Sequence, residues 1–463
     1  MKEYNLLEEY AFLGEFWPYD NKDHSFYANL KYSPETGIQL SSLVDYKTNK
    51  LLRGSTILHG YSQKTGDMTL VGCYVSSTGR HTVGISRSSM SPTIFCMYLI
   101  CGGHFTQQQQ FVSCSFELSG FREFCYPQGF MMRDEFSSTP ILEGNCSWGN
   151  VAFKKNASYN EISANNISDL IVIDEDKKAF SDALNKMAGK LAEKHNIEYL
   201  LTKKEIGTYL KISYENAKNI STFPHNNEMM KIADLFTIFA ISPVVPINIK
   251  LHGEKKKSSY PVIYSIRLTA NKRQRISKDV NHNFMPVNIK DIENNFPKIL
   301  KEWDTITSDD TDFILSVLHE HIKGGFNTAH HTITAIAALE QWFSKYEQGE
   351  KGKHYDHMIE TYSPPSTTDF LREHIPLEIN KNESLGSILT KIRGSVLHPK
   401  GRDNRRFKAG RNLDECSLGN ISEAIFIILM RALYQKLGIS DRAIEKLGTE
   451  DRPVMSKYSL LKT

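Results

Sequence analysis

Arg393 and His398 sit where an apolar helical stripe runs out and a dense patch of positive charge begins. Leu385, Ile388, Leu389, Ile392 and Val396 recur at helical spacing, and Ser384 can cap the start. Pro399 predicts the end of the helix at or near His398, because the residue before a proline is pushed out of the α region. Unpaired carbonyls at a helix C-terminus favour a positive imidazole, so a histidine there can hold or exchange a proton near neutral pH. Beyond it, Lys400, Arg402, Arg405, Arg406, Lys408 and Arg411 face a single acid, Asp403, a balance that suits a polyanion. Residues five apart lie roughly 140° apart around a regular helix, so the two side chains converge only if the chain breaks at Pro399.

An imidazole beside a guanidinium has the reagents for cutting an RNA phosphodiester. A ribose 2′-hydroxyl must lose a proton, attack its own phosphate and expel the 5′-oxygen. His398 could take or give that proton, a service worth about 10²–10⁴ in rate. Arg393 could clamp the phosphate oxygens with two parallel hydrogen bonds and stabilise the charge that builds up, with no metal or other cofactor. The plainer alternative is that both residues only cap a helix C-terminus.

The run Arg393-Gly394-Ser395-Val396-Leu397-His398 resembles the R-x(4–6)-H signature of the HEPN superfamily, helical ribonucleases that usually dimerise with two Arg/His pairs facing each other. The chain as a whole resembles ApeA-type proteins of bacterial phage defence, which join a β-rich N-terminal domain to a C-terminal HEPN domain. Gly14-Glu15-Phe16-Trp17-Pro18, Leu58-His59-Gly60 and Thr69-Leu70 carry the N-terminal part of that resemblance. The resemblance implies catalysis by Arg393 and His398, with substrate held by Lys400, Arg402, Arg405 and Arg406. Glu340 stands where these families often keep an acidic residue, and Ser395 is the second supporting candidate. The resemblance further implies an RNA substrate, with tRNA and other host transcripts as candidates, a homodimer or higher homo-oligomer, a phage-derived trigger, and growth arrest as the result. Gly394 departs from the pattern, because a polar residue such as asparagine commonly follows the arginine.

With 463 residues, the chain can form two or three domains, each with its own core. Hydrophobic content of 40% and charged content of 24% are ordinary for a folded protein, and a net charge of +3 is too small to mark a nucleic-acid binder globally. Seven cysteines without a CxxC pair indicate neither a disulfide framework nor a zinc ribbon. The N-terminus carries three glutamates where a secretory signal has an apolar core, and the run Ala424 to Met430 is too short to span a bilayer. A soluble, cytoplasmic protein with no membrane partner is expected.

The expected fold class is α+β, a β-rich N-terminal region followed by an all-α HEPN-like bundle. From Ala11 to about Leu142, aromatic and β-branched runs alternate with turn residues, as in antiparallel structure, and turns at Gly37 and Lys64-Thr65-Gly66-Asp67 would close hairpins. Between Asn150 and Lys278 the text is mixed, with strands at GTYLKISYE, VVPINIKLH and YPVIYSIRLTA around a helix in NNEMMKIADLFTIFAIS. These patterns predict a β-rich domain over 1–285, in sub-parts of about 1–150 and 151–285. A linker over 286–306, a helical domain over 307–450 and a tail over 451–463 follow. Four to five helices are expected in that domain, among them Phe313 to Ile322, Thr332 to Phe343, Thr368 to Leu377 and Ser417 to Leu437, while Glu347 to Ser366, with Gly349, Gly352, Pro364 and Pro365, reads as a loop.

No P-loop, dinucleotide fingerprint, H-E-x-x-H or G-x-S-x-G run is present. Two other functions stay open on the residues. A non-catalytic module could use the basic stretch to hold nucleic acid or a protein, with Gly394 marking a decayed site; a metal-dependent nuclease could use the acids at 309–312 and nearby histidines. His59 and His104, each beside a glycine, read as satisfied strand or loop histidines.

Overall fold

A computed structural model describes residues 4–83, 87–120, 124–125, 141–163, 199–220, 228–255, 258–266, 285–308, 312–323, 328–349, 352–375, 383–397 and 415–447, with scattered positions between 182 and 194. Strands fill the first part and helices the second, the expected α+β order. The strands are β1 (Tyr10–Pro18), β2 (Phe26–Ser33), β3 (Gly37–Ser42), β4 (Ile57–Ser62), β5 (Gly66–Val71), β6 (Tyr74–Val83), β7 (Arg87–Cys96), β8 (Tyr98–Cys101), β9 (Gln110–Leu118), β10 (Leu142–Cys146), β11 (Gly149–Ser163), β12 (Tyr199–Asn219), β13 (Pro246–His252) and β14 (Ser259–Tyr264). Among the described residues they form one fourteen-stranded sheet in the order β10-β11-β12-β9-β13-β14-β8-β5-β4-β1-β2-β3-β7-β6. Gly37 and Gly66 open β3 and β5 at φ +74° and +73°, where a residue with a Cβ would be strained, and so set the β2–β3 and β4–β5 hairpins in register. The alternation in β2 is strict: Phe26, Ala28, Leu30 and Tyr32 face inward, while Tyr27, Asn29 and Lys31 face out.

Helices α1 (Tyr46–Gly54) and α2 (Glu228–Ala240) lie between strands; the second buries ten of its residues. Then come α3 (Ile289–Ile292) and eight more helices among the described residues: α4 (Phe296–Ser308), α5 (Asp312–Lys323), α6 (Thr328–Tyr346), α7 (His354–Tyr362), α8 (Pro365–His374), α9 (Leu385–Leu397), α10 (Glu415–Leu437) and α11 (Asp441–Lys446). Residues 286–306, expected as a linker, hold α3 and most of α4, and Phe296, Ile299, Leu300 and Trp303 are buried there. Their spacing makes one apolar face, which packs on the sheet: the Phe296 ring meets Phe153 of β11 edge-on at 5.1 Å. Asp304 accepts from the Ser147 amide at 2.8 Å and from Trp148 Nε1 at 3.0 Å, and Trp303 Nε1 donates to the Lys231 carbonyl of α2 at 2.8 Å. Sheet and helices therefore share one continuous hydrophobic core.

The stretch from Glu347 to Ser366, expected as a loop, contains α7. Tyr355, Met358, Ile359 and Tyr362 are buried at helical spacing, and the tyrosines carry half of that apolar face. Pro365 then stands at the first position of α8, where its missing N–H costs nothing. Among the described residues, Ser417–Leu437 is the one helix long and apolar enough to cross a membrane; 89% of its apolar window is buried inside the protein, and Gly438 (φ +75°) ends it. It is the core helix against which α6 and α8 pack.

Candidate functional site

Helix α9 carries Arg393, and its neighbours fix where that arginine points. Ile388, Leu389 and Ile392 bury the inner face. At the N-terminal end the Ser387 amide donates to Ser384 Oγ at 3.1 Å, the expected cap. Asp356 of α7 reinforces it, accepting from the Gly386 amide and from the Ser384 hydroxyl, each at 2.8 Å. A Cβ on Gly386 would stand 2.6 Å from that carboxylate, so glycine permits the approach that registers α9 against α7.

Arg393 follows the buried Ile392 and lies at the edge of the packed face, with its side chain 35% exposed. Its Nη1 donates to Oε2 of Glu340 on α6, in a close contact, and to the hydroxyl of Tyr355 on α7 at 3.1 Å. The Tyr355 hydroxyl in turn donates to Glu340 Oε2 at 3.3 Å. Three helices thus hold one guanidinium by one nitrogen. Among the described residues Nε and Nη2 make no hydrogen bond, so the side-on pair of donors that matches two phosphate oxygens is unspent. Burial raises the Tyr355 pKa and keeps the phenol protonated as a donor. Burial alone would lower the Arg393 pKa, but contacts with Tyr355 and Glu340 outweigh it, and the group is held as a cation.

The structure therefore joins Arg393 to Glu340, both singled out from sequence, and adds Tyr355 and Asp356, which sequence reasoning missed. The signal for both was the helical spacing of Tyr355, Met358, Ile359 and Tyr362 within a stretch read as a loop. His398, Lys400, Arg402, Arg405 and Arg406 lie outside the described residues, and Ser395 lies in α9 with its side chain outside them.

Among the described residues no three histidine, cysteine, aspartate or glutamate side chains gather as metal ligands would. His321 pairs with Glu423 at 2.6 Å inside the bundle, its ring stacked on Phe426. His59 and His104 each direct Nε2 to a backbone carbonyl, of Phe105 at 3.0 Å and Gly60 at 2.9 Å, as satisfied structural histidines do. Burial pushes the Cys101 and Cys114 thiols up to about 12, which leaves them unreactive at neutral pH.

The chain is thus α+β, with a guanidinium about one-third exposed where three helices meet. Residues 11–303 match the model of the family described as ApeA N-terminal domain 1, more than half of the chain, and the protein belongs to that family, the ApeA-type antiphage defence proteins. The matched stretch ends within α4, the helix packed on β10 and β11. No curated protein and no solved structure matches the chain.

Proposed function

We propose that the protein is a metal-independent endoribonuclease of the HEPN type, acting in the cytoplasm as a homodimer that cuts RNA, tRNA among the candidates, when a phage-derived trigger is present. The observation that carries this reading is the open side-on pair of donors on Arg393, held in place from behind by Glu340 and Tyr355. In the reaction, His398 removes the proton from the ribose 2′-hydroxyl, the 2′-oxygen attacks phosphorus, and the bond to the 5′-oxygen breaks. Arg393 Nε and Nη2 hold the two non-bridging oxygens as charge builds on them. The 5′-oxygen leaves with a proton returned by an imidazole, the same one or its twin across a two-fold axis. The products are a 2′,3′-cyclic phosphate and a 5′-hydroxyl. Lys400, Arg402, Arg405 and Arg406 supply positive charge that draws in the strand.

The test is cellular RNA incubated with purified protein and excess EDTA. Cleavage that persists with the chelator and disappears in Arg393→Ala and His398→Ala supports the proposal; full activity in His398→Ala overturns it. Gly394, in place of the usual polar residue, favours a second reading, a non-catalytic module that binds nucleic acid or protein. That reading predicts affinity without new RNA ends.

A further inference from the structure

The outer face of the first half of the sheet carries a row that no helix covers among the described residues. Tyr27 on β2 pairs in register with Glu15 on β1, Glu15 with Tyr61 on β4, and Tyr61 with Asp67 on β5. Directly paired residues share a face, so two tyrosines and two carboxylates alternate across four strands. Tyr27 is 74% exposed and Tyr61 49%, with Leu13 (73%) one step along β1 and Leu43 (65%) just past the end of β3. With Tyr46, at the start of α1, they make five of the nine large hydrophobic side chains exposed among the described residues. Isolated exposed apolar groups are ordinary, but Leu13, Tyr27 and Tyr61 on three adjoining strands, with Leu43 next to the Ser42–Ala28 pair, form a cluster of the kind found at interaction surfaces.

We infer that this row is a docking site for a polypeptide segment in which arginine or lysine alternates with apolar side chains. Adjacent strands lie about 4.8 Å apart, so the rings of Tyr27 and Tyr61 stand roughly 10 Å from each other on either side of Glu15. A guanidinium lying over Glu15 meets a carboxylate below and an aromatic face on each side, a combination of ion pair and cation–π contact. Asp67, 51% exposed and 3.7 Å from His104, offers a second carboxylate one strand beyond Tyr61. The apolar residues of the segment would lie against Leu13 and Leu43.

Charge decides among occupants. An RNA strand could stack bases on the tyrosines, but its phosphates would then face Glu15 and Asp67. A second copy meeting this face by two-fold symmetry would set the same carboxylates against each other and desolvate them. A cationic peptide is the partner that both carboxylates favour. The inference stands independently of the nuclease proposal, because none of these residues touches the Arg393 region.

The experiment measures fluorescence anisotropy of a short labelled peptide alternating arginine and leucine, titrated with full-length protein. Parallel titrations use the same peptide with citrulline for arginine and a single-stranded RNA of similar length. Binding of the arginine peptide is expected, about fivefold weaker for each of Tyr27→Ala and Tyr61→Ala and weaker again for Glu15→Gln. Tyr27→Phe should keep the affinity, because the ring and not the hydroxyl makes the contact. Equal binding of the citrulline peptide, unchanged affinity in the alanine variants, loss of RNA binding in those same variants, or dissociation of a dimer by them would each overturn the assignment.

Discussion

Replacing Tyr355 with phenylalanine removes a single oxygen from the Arg393 site and asks how much the backing of that arginine matters. The ring stays in its buried place, so no cavity opens. What is lost is the 3.1 Å bond from Arg393 Nη1 and the longer 3.3 Å bond to Glu340, while the direct contact of Glu340 with Nη1 survives. A hydrogen bond to a charged group is worth roughly 1.5–3 kcal/mol. Arg393 is about one-third exposed, so water takes up part of the loss, and about 1 kcal/mol of ordering remains. If the guanidinium acts on the transition state, that ordering should appear in kcat, as roughly a fivefold decrease with KM little changed. The assay is multiple-turnover cleavage of a defined RNA beside a denaturation curve, where Tyr355→Phe should lower stability by no more than about 1 kcal/mol. Wild-type kcat in Tyr355→Phe, alongside inactive Arg393→Ala, would refute the idea that Tyr355 sets the arginine's geometry.

Two stability predictions follow from cations and anions that fasten helix ends. Arg431 donates from Nε to the Tyr362 carbonyl at 2.7 Å and from Nη1 to the Ile444 and Leu447 carbonyls at 2.7 and 3.0 Å, tying the ends of α7 and α11. Arg431→Ala should cost about 3 kcal/mol in urea denaturation, because these acceptors lose their donor in a half-buried place; a change under 1 kcal/mol would contradict this. Asp291, buried at the start of α3, would have its pKa raised by desolvation, but Arg442, Ser440 and the Asn288 amide hold it below its ordinary 3.8. A carboxyl with a depressed folded pKa stabilises above its unfolded pKa and loses that contribution as pH falls through the folded value. Wild-type stability should therefore fall below about pH 4, and Asp291→Asn should flatten that part of the profile; identical slopes would count against it.

Much of the fold could be read from sequence because its signals are local. Gly37 and Gly66 supply the positive φ that the β2–β3 and β4–β5 hairpins need, and the alternation of β2 names its inner face directly. The pairing of Glu340 with Arg393 was also within reach, since both stand on recognisable helices. Other features depend on tertiary partners that leave little trace. Residues 286–306 resemble a connection until the apolar face formed by Phe296, Ile299, Leu300 and Trp303 is matched with the sheet that covers it. Helix α7 was hidden because the flanking Gly349, Gly352, Pro364 and Pro365 read as loop punctuation, while tyrosines carry half of its buried face. Strand β12 runs for 21 residues, far beyond the apolar GTYLKISYE core that identifies it, because pairing with β11 extends through its polar TKKEI segment.

Joint action of Arg393 and His398 on a phosphodiester, without a metal, is what the proposed nuclease requires. Its most direct measurement is mapping of RNA ends after incubation in excess EDTA with wild type, Arg393→Ala and His398→Ala. Wild type alone should leave 2′,3′-cyclic phosphate and 5′-hydroxyl ends. Undiminished cleavage by His398→Ala, or wild-type cleavage that stops on chelation, would contradict it.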